Sequence, residues 1–330
     1  MSKTRLNQAI DGGLISLPQT GPIAVLRPRP EHDLSALPKD RVHIIQGNFT
    51  SYHSFSARGF DCRLTLSGAY GAALIFLPRS RGEARSLIAG ALAATGGGPV
   101  LVDGQKTDGV NSILKECRAR GAQISGILAK SHGRIFVVTG GDFAEFADPA
   151  PLHPEPGFIS RAGVFSADRV DRGSAALVAA LPDNLAGKVA DLGAGWGYLA
   201  HHILRRTTVS ECHLIEVEHD ALDCARTNIN DPRARFHWAD AIDFTTETSF
   251  DQVITNPPFH TGRDADIELG RGFIATAARL LTRRGALWLV ANRHLPYEKT
   301  LSAAFGEVAE VAGDGAFKIL RATGARRQAR

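Results

Sequence analysis

Asn256-Pro257-Pro258-Phe259 closes an apolar run, residues 250–255, that reads as a buried strand. Neither proline has an N–H to donate, so the run cannot continue as sheet. The chain leaves the strand with a carboxamide, a stiff backbone carbonyl and an aromatic ring held close together. That set is suited to gripping a flat, amine-bearing group while its nitrogen reacts. Exocyclic amines of guanine, adenine or cytosine are poor nucleophiles, because the lone pair is delocalised into the ring. If the Asn256 oxygen and the Pro257 carbonyl accept the two N–H hydrogens, the nitrogen turns pyramidal and its lone pair faces an electrophile. Phe259 would stack on the base, a contact of about 1–3 kcal/mol. In-line alignment is a proximity effect that reaches ~7–11 kcal/mol in the most favourable cases. Such chemistry needs neither a metal nor a strong base, and the sequence carries a signature of neither. Taken alone, the four residues would also serve as a turn closed by a core phenylalanine.

A second loop accounts for the electrophile. Val189-Ala190 leads into Asp191-Leu192-Gly193-Ala194-Gly195-Trp196-Gly197, and a helical pattern follows. Glycines at such a point let the backbone turn tightly and approach a ligand. The spacing is G-x-G-x-G, not the G-x-G-x-x-G of dinucleotide enzymes, and Asp191 would repel a pyrophosphate. An acid there suits a cationic ligand. S-adenosylmethionine has a sulfonium and an ammonium group but no phosphate. Glu216, ending the next strand, is placed to accept ribose hydroxyls. Asp240, after the third, is placed to accept the adenine amino group, with Ala241 lending its N–H. Doubly wound sheets bind ligands at such successive strand ends. The expected donor-binding set is therefore Asp191, Gly193, Ala194, Gly195, Gly197, Glu216, Asp240, Ala241 and Asn256. Trp196 is bulky for this loop and is expected to point away from the ligand or to reshape the pocket.

These residues need strands that all end on one side of a sheet. The pattern after residue 157 supplies them: strands over 188–192, 213–217, 235–238, 250–255 and 286–291, with helices over 173–181, 198–206, 219–229 and 267–281. A hairpin over 308–311 and 316–321 turns at Gly313-Asp314-Gly315. The earlier half alternates in the same way, with strands over 72–77, 99–102 and 135–139 and helices over 81–95 and 108–120. Alternation of this kind indicates a parallel sheet covered by helices. The first 70 residues show little beyond membership of that half. Four prolines within 148–157 forbid helix and central strand, so this stretch reads as a linker. The expected organisation is α/β, with domains over 1–147 and 158–330 joined by 148–157.

Composition narrows the class further. A chain of 330 residues suits two domains of ordinary size. A net charge of +4 permits a nucleic-acid partner without requiring one. Cys62, Cys117, Cys212 and Cys224 show no C-x-x-C spacing, which argues against a zinc site or a disulfide framework. No apolar stretch approaches the ~20 residues of a membrane span. The N-terminus lacks the apolar core of a signal peptide, so a cytoplasmic protein is expected.

On these residues the chain resembles the RsmC-like ribosomal RNA guanine-N2 methyltransferases, within the class I S-adenosylmethionine-dependent fold. The likeness rests on Pro156-Gly157, Gly163-Val164-Phe165-Ser166, Asp171 with Gly173-Ser174, and Asp191-Leu192-Gly193. It continues through Asn256-Pro257-Pro258-Phe259-His260 with Gly262, Val290-Ala291-Asn292 with Leu295-Pro296-Tyr297, and Gly315-Ala316-Phe317-Lys318. The Pro-Pro-Phe-His and Leu-Pro-Tyr segments are more specific than the glycine loop.

The resemblance implies two tandem Rossmann-like class I methyltransferase domains, each a doubly wound, mostly parallel sheet, with an antiparallel hairpin in the catalytic one. Only the C-terminal copy would be catalytic. The N-terminal copy would be degenerate, with Val102-Asp103-Gly104-Gln105-Lys106 read as an eroded glycine loop. It further implies S-adenosylmethionine as cofactor, no metal, a guanine of 16S rRNA in the small ribosomal subunit as substrate, and a monomer. Asn256, Pro257, Pro258 and Phe259 would be catalytic, and Phe165, Ser166, Phe259, His260 and Arg263 would bind the substrate. Arg293 and Lys318 are candidate phosphate contacts. The same chemistry on a 23S rRNA guanine, an adenine N6 or a protein glutamine, and a non-catalytic RNA-binding or assembly factor, remain open alternatives.

Overall fold

The computed structural model describes residues 4–258 and 263–326, with side chains over all of these except 263–266. The chain divides into two compact units, Met1–Pro151 and Leu152–Arg330, and the change of unit falls inside the proline-rich stretch.

The N-terminal unit opens with α1 (Arg5–Asp11), β1 (Ile23–Leu26), β2 (Val42–Ile45), α2 (Phe49–Ala57) and β3 (Asp61–Arg63). It continues with β4 (Ala72–Phe76), α3 (Arg81–Thr95), β5 (Val100–Gln105), α4 (Val110–Ala119), β6 (Gln123–Lys130) and β7 (Gly133–Thr139). The strand expected over 72–77 is thus the fourth of its sheet. The three before it are only three or four residues long and lie among Pro18, Pro22, Pro28, Pro30 and Pro38, too short for a periodic pattern to show. β6 has a plain period-2 alternation of exposed and half-buried residues, the mark of an edge strand.

The C-terminal unit holds α5 (Arg172–Ala180), β8 (Gly187–Leu192), α6 (Tyr198–Leu204), β9 (Val209–Glu216), α7 (His219–Asn228) and β10 (Ala234–Trp238). Then come β11 (Phe250–Thr255), α8 (Arg263–Leu280), β12 (Leu281–Asn292), α9 (Tyr297–Ala304), β13 (Phe305–Gly313) and β14 (Phe317–Ala325).

The two units share one topology. Their sheets run β3-β2-β1-β4-β5-β7-β6 and β10-β9-β8-β11-β12-β14-β13. In each, the first five strands pair in parallel and the last two pairings are antiparallel, so only β7 and β14 run against the rest. The closing hairpin therefore belongs to both units, not to the second alone.

Parallel strands covered on both faces should read as continuous apolar runs, and the central strands do. In the C-terminal sheet Val189, Ile254, Trp288 and Val290 pack on one face with Leu177, Leu199 and Ile203. Ala190, Leu192, Val253 and Leu289 pack on the other with Phe273, Ile274 and Ala277. One face thus rests on α5 and α6, the other on α8.

Candidate active site

Strand order in the C-terminal sheet reverses between β8 and β11, and ligands of doubly wound sheets bind at the carboxyl ends there. Leu192 is paired with Thr255 on one side and with Ile215 on the other. Gly193, Asn256 and Glu216, each the next residue along, therefore leave three adjacent strands at one level. Thr255, fully buried, fastens the two central strands by donating from Oγ1 to the Leu192 carbonyl at 2.8 Å.

The glycine loop is held open by its backbone. Gly193 and Ala194 both donate N–H to the Ile215 carbonyl, at 2.9 and 3.1 Å. Gly193, Gly195 and Gly197 have φ of 75°, 56° and 93°, where a side chain is strained. A Cβ on Gly195 would meet nothing within 4 Å, so that residue faces open space. Glu216 reaches back to the loop: its Oε2 accepts from Gly195 N at 2.7 Å and its Oε1 from Glu218 N at 2.8 Å. Trp196 turns away, as expected. It is buried against Phe158 and Tyr198, and its Nε1 donates to the Ser166 carbonyl at 3.3 Å.

Asp191 lies beneath this loop with no exposed surface. Among the described residues neither carboxylate oxygen has a hydrogen-bond partner of good geometry, and the Ala200 amide offers only a weak pull. Burial, and then the neighbouring Glu216 charge, push its pKa up to about 8. Burial also raises Glu216, against the pull of the Glu218 and Gly195 amides. Among the described residues no lysine or arginine offsets this pair. A buried acid cluster without a counter-cation is a site for a positive ligand. On the next strand, Asp240 Oδ1 accepts from Ile242 N at 2.9 Å, and Ala241 is buried.

The Asn256 carboxamide is clamped on its nitrogen side. Nδ2 donates to Asp171 Oδ2 and to Ser174 Oγ, both at 2.8 Å. Asp171 is also the N-cap of α5, its Oδ2 accepting from Ser174 N at 2.8 Å. Since a carboxylate only accepts, the amide orientation is fixed by this network. Asn256 Oδ1 is left buried without a partner among the described residues. Pro257 is buried and Pro258 exposed. Asp171 and Ser174 carried no role in the sequence reading. The signal for them is the Asp171-Arg172-Gly173-Ser174 cap before an apolar run.

Other expected residues are dispersed or reassigned. Phe165 is 51% exposed, and Ser166 holds a positive φ of 49°. The Trp196 bond ties this segment to the glycine loop. Phe259 and His260 lie outside the described residues, as does the Arg263 side chain. Lys318 is buried and bonded to Glu298, and Arg293 is held by Glu310 and the Asp314 carbonyl. Lys318 is thus committed inside the fold, whereas Arg293 is a half-exposed cation engaged in a surface ion pair. Leu295 and Tyr297 belong to the core beside α8, where a Cβ on Gly270 would strike the Tyr297 hydroxyl. Among the described residues no group of His, Cys, Asp and Glu side chains could hold a metal ion. No helix there is long and apolar enough to cross a membrane.

The shared topology also shows what stands at this site in the N-terminal unit. β1 corresponds to β8, so the counterpart of the glycine loop follows Leu26. Val102-Asp103-Gly104-Gln105 lies in β5, the counterpart of β12, and its reading as an eroded glycine loop is corrected accordingly. Arg27 stands where Gly193 does, with φ 56° and its N–H bonded to the Ile45 carbonyl at 3.0 Å. Its side chain pairs with Glu83 at 2.7 Å and reaches Gln46 Oε1 at 3.3 Å. Phe76 occupies the Asn256 position, stacked on His32 at 3.8 Å.

Comparisons with known proteins agree with this arrangement. Residues 155–321 match the family model "MTS: Methyltransferase small domain". The ribosomal RNA small subunit methyltransferase C of Pseudomonas entomophila is 32% identical over 267 residues, covering 77% of this chain and 80% of that protein. Its namesake in Pseudomonas putida is 28% identical, covering 92% and 95%. The solved T. thermophilus 16S rRNA N2 guanine methyltransferase, in complex with AdoMet and guanosine, superposes with a TM-score of 0.79 at 24% identity, covering 97% of this chain and 92% of that one. That likeness establishes the two-unit fold.

Proposed function

The chain belongs to the ribosomal RNA small subunit methyltransferase C family, and from that membership we propose that it moves a methyl group from S-adenosylmethionine to the exocyclic N2 of a guanine in 16S rRNA. The observation that carries this reading is the pairing, on adjacent strands, of an acid cluster under an open glycine loop with a buried Asn256 Oδ1, neither of them offset or bonded by any of the described residues. The T. thermophilus protein of like fold, solved with AdoMet and guanosine, favours guanine over other amines.

The residues present fit the donor. Open space above Gly195 admits an adenosyl group where a Cβ would intrude. Glu216 faces the loop from the second strand end, where ribose hydroxyls would be met, and Asp240 with Ala241 stands at the third for the adenine. Asp191 presents no surface, so it acts through the charge it takes on when a cationic ligand favours its ionised form, not by contact. When bound, S-adenosylmethionine supplies an electrophilic methyl.

The rest falls to the chain's own groups. Asn256 Oδ1 and the Pro257 carbonyl accept the guanine N2 hydrogens, which raises lone-pair density on that nitrogen. Phe259 and the exposed Phe165 offer faces for the base. The N2 proton is released after transfer, when the nitrogen is acidic, so no strong base is required. The protein is read as a cytoplasmic monomer whose partner is the small ribosomal subunit, and its N-terminal unit as non-catalytic. The test incubates protein and labelled donor with under-methylated 30S subunits and digests the RNA. Label in N2-methylguanosine is expected; label confined to another nucleoside would refute the assignment.

A further inference from the structure

We propose that Asp171 and Ser174 are positioning residues for methyl transfer, fixing Asn256 with its oxygen toward the amine. This rests on the reading of Asn256 as amine acceptor. The two Nδ2 hydrogens of Asn256 are both taken, by Asp171 Oδ2 and by Ser174 Oγ, each at 2.8 Å. Oδ1 is then the one group of the amide left without a partner among the described residues, and it is buried. Rotating the amide by half a turn would set its oxygen against the acceptor-only Asp171 carboxylate and lose that bond. The Ser174 hydroxyl can donate or accept, so Asp171 is the group that selects the orientation.

Capping alone does not explain the aspartate. Serine, threonine and asparagine cap helices about as well, but a serine at 171 is too short to hold Ser174 N and reach Asn256 as well. Gly173, one of the two residues between the acceptors, points the same way. A Cβ on Gly173 would come within 3.0 Å of Asp171 Oδ2, the very oxygen that receives Asn256, and within 3.4 Å of the Phe317 ring. Asp171, Gly173 and Ser174 thus form one device. The cap of α5 doubles as the seat of the amide, and α5 transmits its own position to the reacting end of β11.

The consequence is a split between chemistry and binding. Asp171→Ser keeps a competent cap and removes the acceptor. Asp171→Asn keeps an oxygen where Oδ2 lies. The experiment measures kcat, KM for 30S subunits, S-adenosylhomocysteine affinity and Tm for Asp171→Ser, Asp171→Asn, Ser174→Ala, Gly173→Ala and Asn256→Ala. Expected for Asp171→Ser is a kcat lowered about ten- to a hundredfold, the scale of a misplaced reacting group, with homocysteine affinity and Tm close to wild type. Asp171→Asn should recover most of that loss, and Ser174→Ala and Gly173→Ala should each lower kcat several-fold. Should Asp171→Ser fail to fold, Gly173→Ala reads the same coupling without removing an acceptor. Full kcat in Asp171→Ser, or in Gly173→Ala, beside an inactive Asn256→Ala would overturn the positioning role alone. An active Asn256→Ala would overturn that role together with the reading beneath it.

Discussion

Gln46 and Glu216 occupy the same position in two copies of one sheet, and each accepts the N–H two residues on through Oε1 at 2.8 Å. Their other ends differ in sign. Glu216 Oε2 accepts from the Gly195 amide at 2.7 Å, whereas Gln46 Nε2 donates to the Pro28 carbonyl at 2.7 Å. The C-terminal copy thus keeps a negative charge beside an open loop. In the N-terminal copy a neutral amide, the buried Pro28 and the Arg27 side chain take the corresponding place.

It follows that S-adenosylhomocysteine binds once per chain. Calorimetry should return a stoichiometry near one for wild type, and none for a variant with a disabled C-terminal loop. Two sites of comparable affinity would contradict the account of Arg27.

Two glycines of the loop should separate folding from binding. At Gly197, φ is 93° and a Cβ would meet Ile229 Cδ1 at 2.8 Å and Ala225 Cβ at 3.2 Å. Gly197→Ala should therefore destabilise the protein by about 1–3 kcal/mol, combining strain with overpacking. Gly195→Ala meets only open space, so it should cost about 1 kcal/mol of stability yet weaken donor binding at least tenfold. Denaturant melts and calorimetry on both variants check this. Equal effects on stability and affinity at the two positions would be incompatible with it.

The legible parts of the sequence were those with a local cause. The strand ends bearing Asp191, Glu216 and Asn256 were marked by long apolar runs, a glycine cluster and paired prolines, each acting within a few residues. The Asp171–Asn256 bond spans 85 residues and exists only because β11 and the start of α5 meet in the fold. The short strands β1 to β3 were hidden because three or four residues hold at most two periods of a strand pattern. Lys318 and Arg293 looked like surface cations. Their partners Glu298 and Glu310 sit 20 and 17 residues away across β14 and its neighbours. The mistaken place of the N-terminal glycine loop has a plain reason too: Arg27 keeps the backbone of a glycine while showing none of its composition.

Asp191 should make stability fall with pH in the unliganded protein. Its folded pKa, about 8, lies above the unfolded value of 3.8, so the folded state holds the proton more tightly. Stability associated with that proton is complete below about pH 4 and is lost as pH rises toward 8, at up to about 1.4 kcal/mol per unit. Asp191→Asn never ionises and should lack this contribution. Donor affinity should rise over the same interval, because a cationic ligand favours the ionised acid. Urea melts from pH 5 to 8 compare the two proteins, and an identical slope in both would count against the burial argument.

Loosening Trp196 should act on substrate more than on donor. Trp196→Phe removes the bond to the Ser166 carbonyl while keeping most of the packing. A rise of a few-fold in KM for 30S subunits is expected, with little change in homocysteine affinity; the reverse pattern would place the 163–166 segment on the donor instead.

The most direct measurement is on Asn256→Ala. Single-turnover rates with 30S subunits and calorimetry with S-adenosylhomocysteine would be taken on the same preparation. If Asn256 Oδ1 holds the guanine amine, the rate falls by at least about a hundredfold while homocysteine affinity stays within a few-fold of wild type. A variant that transfers methyl groups at near-normal rate, or whose loss is accounted for by weaker donor binding, would contradict it.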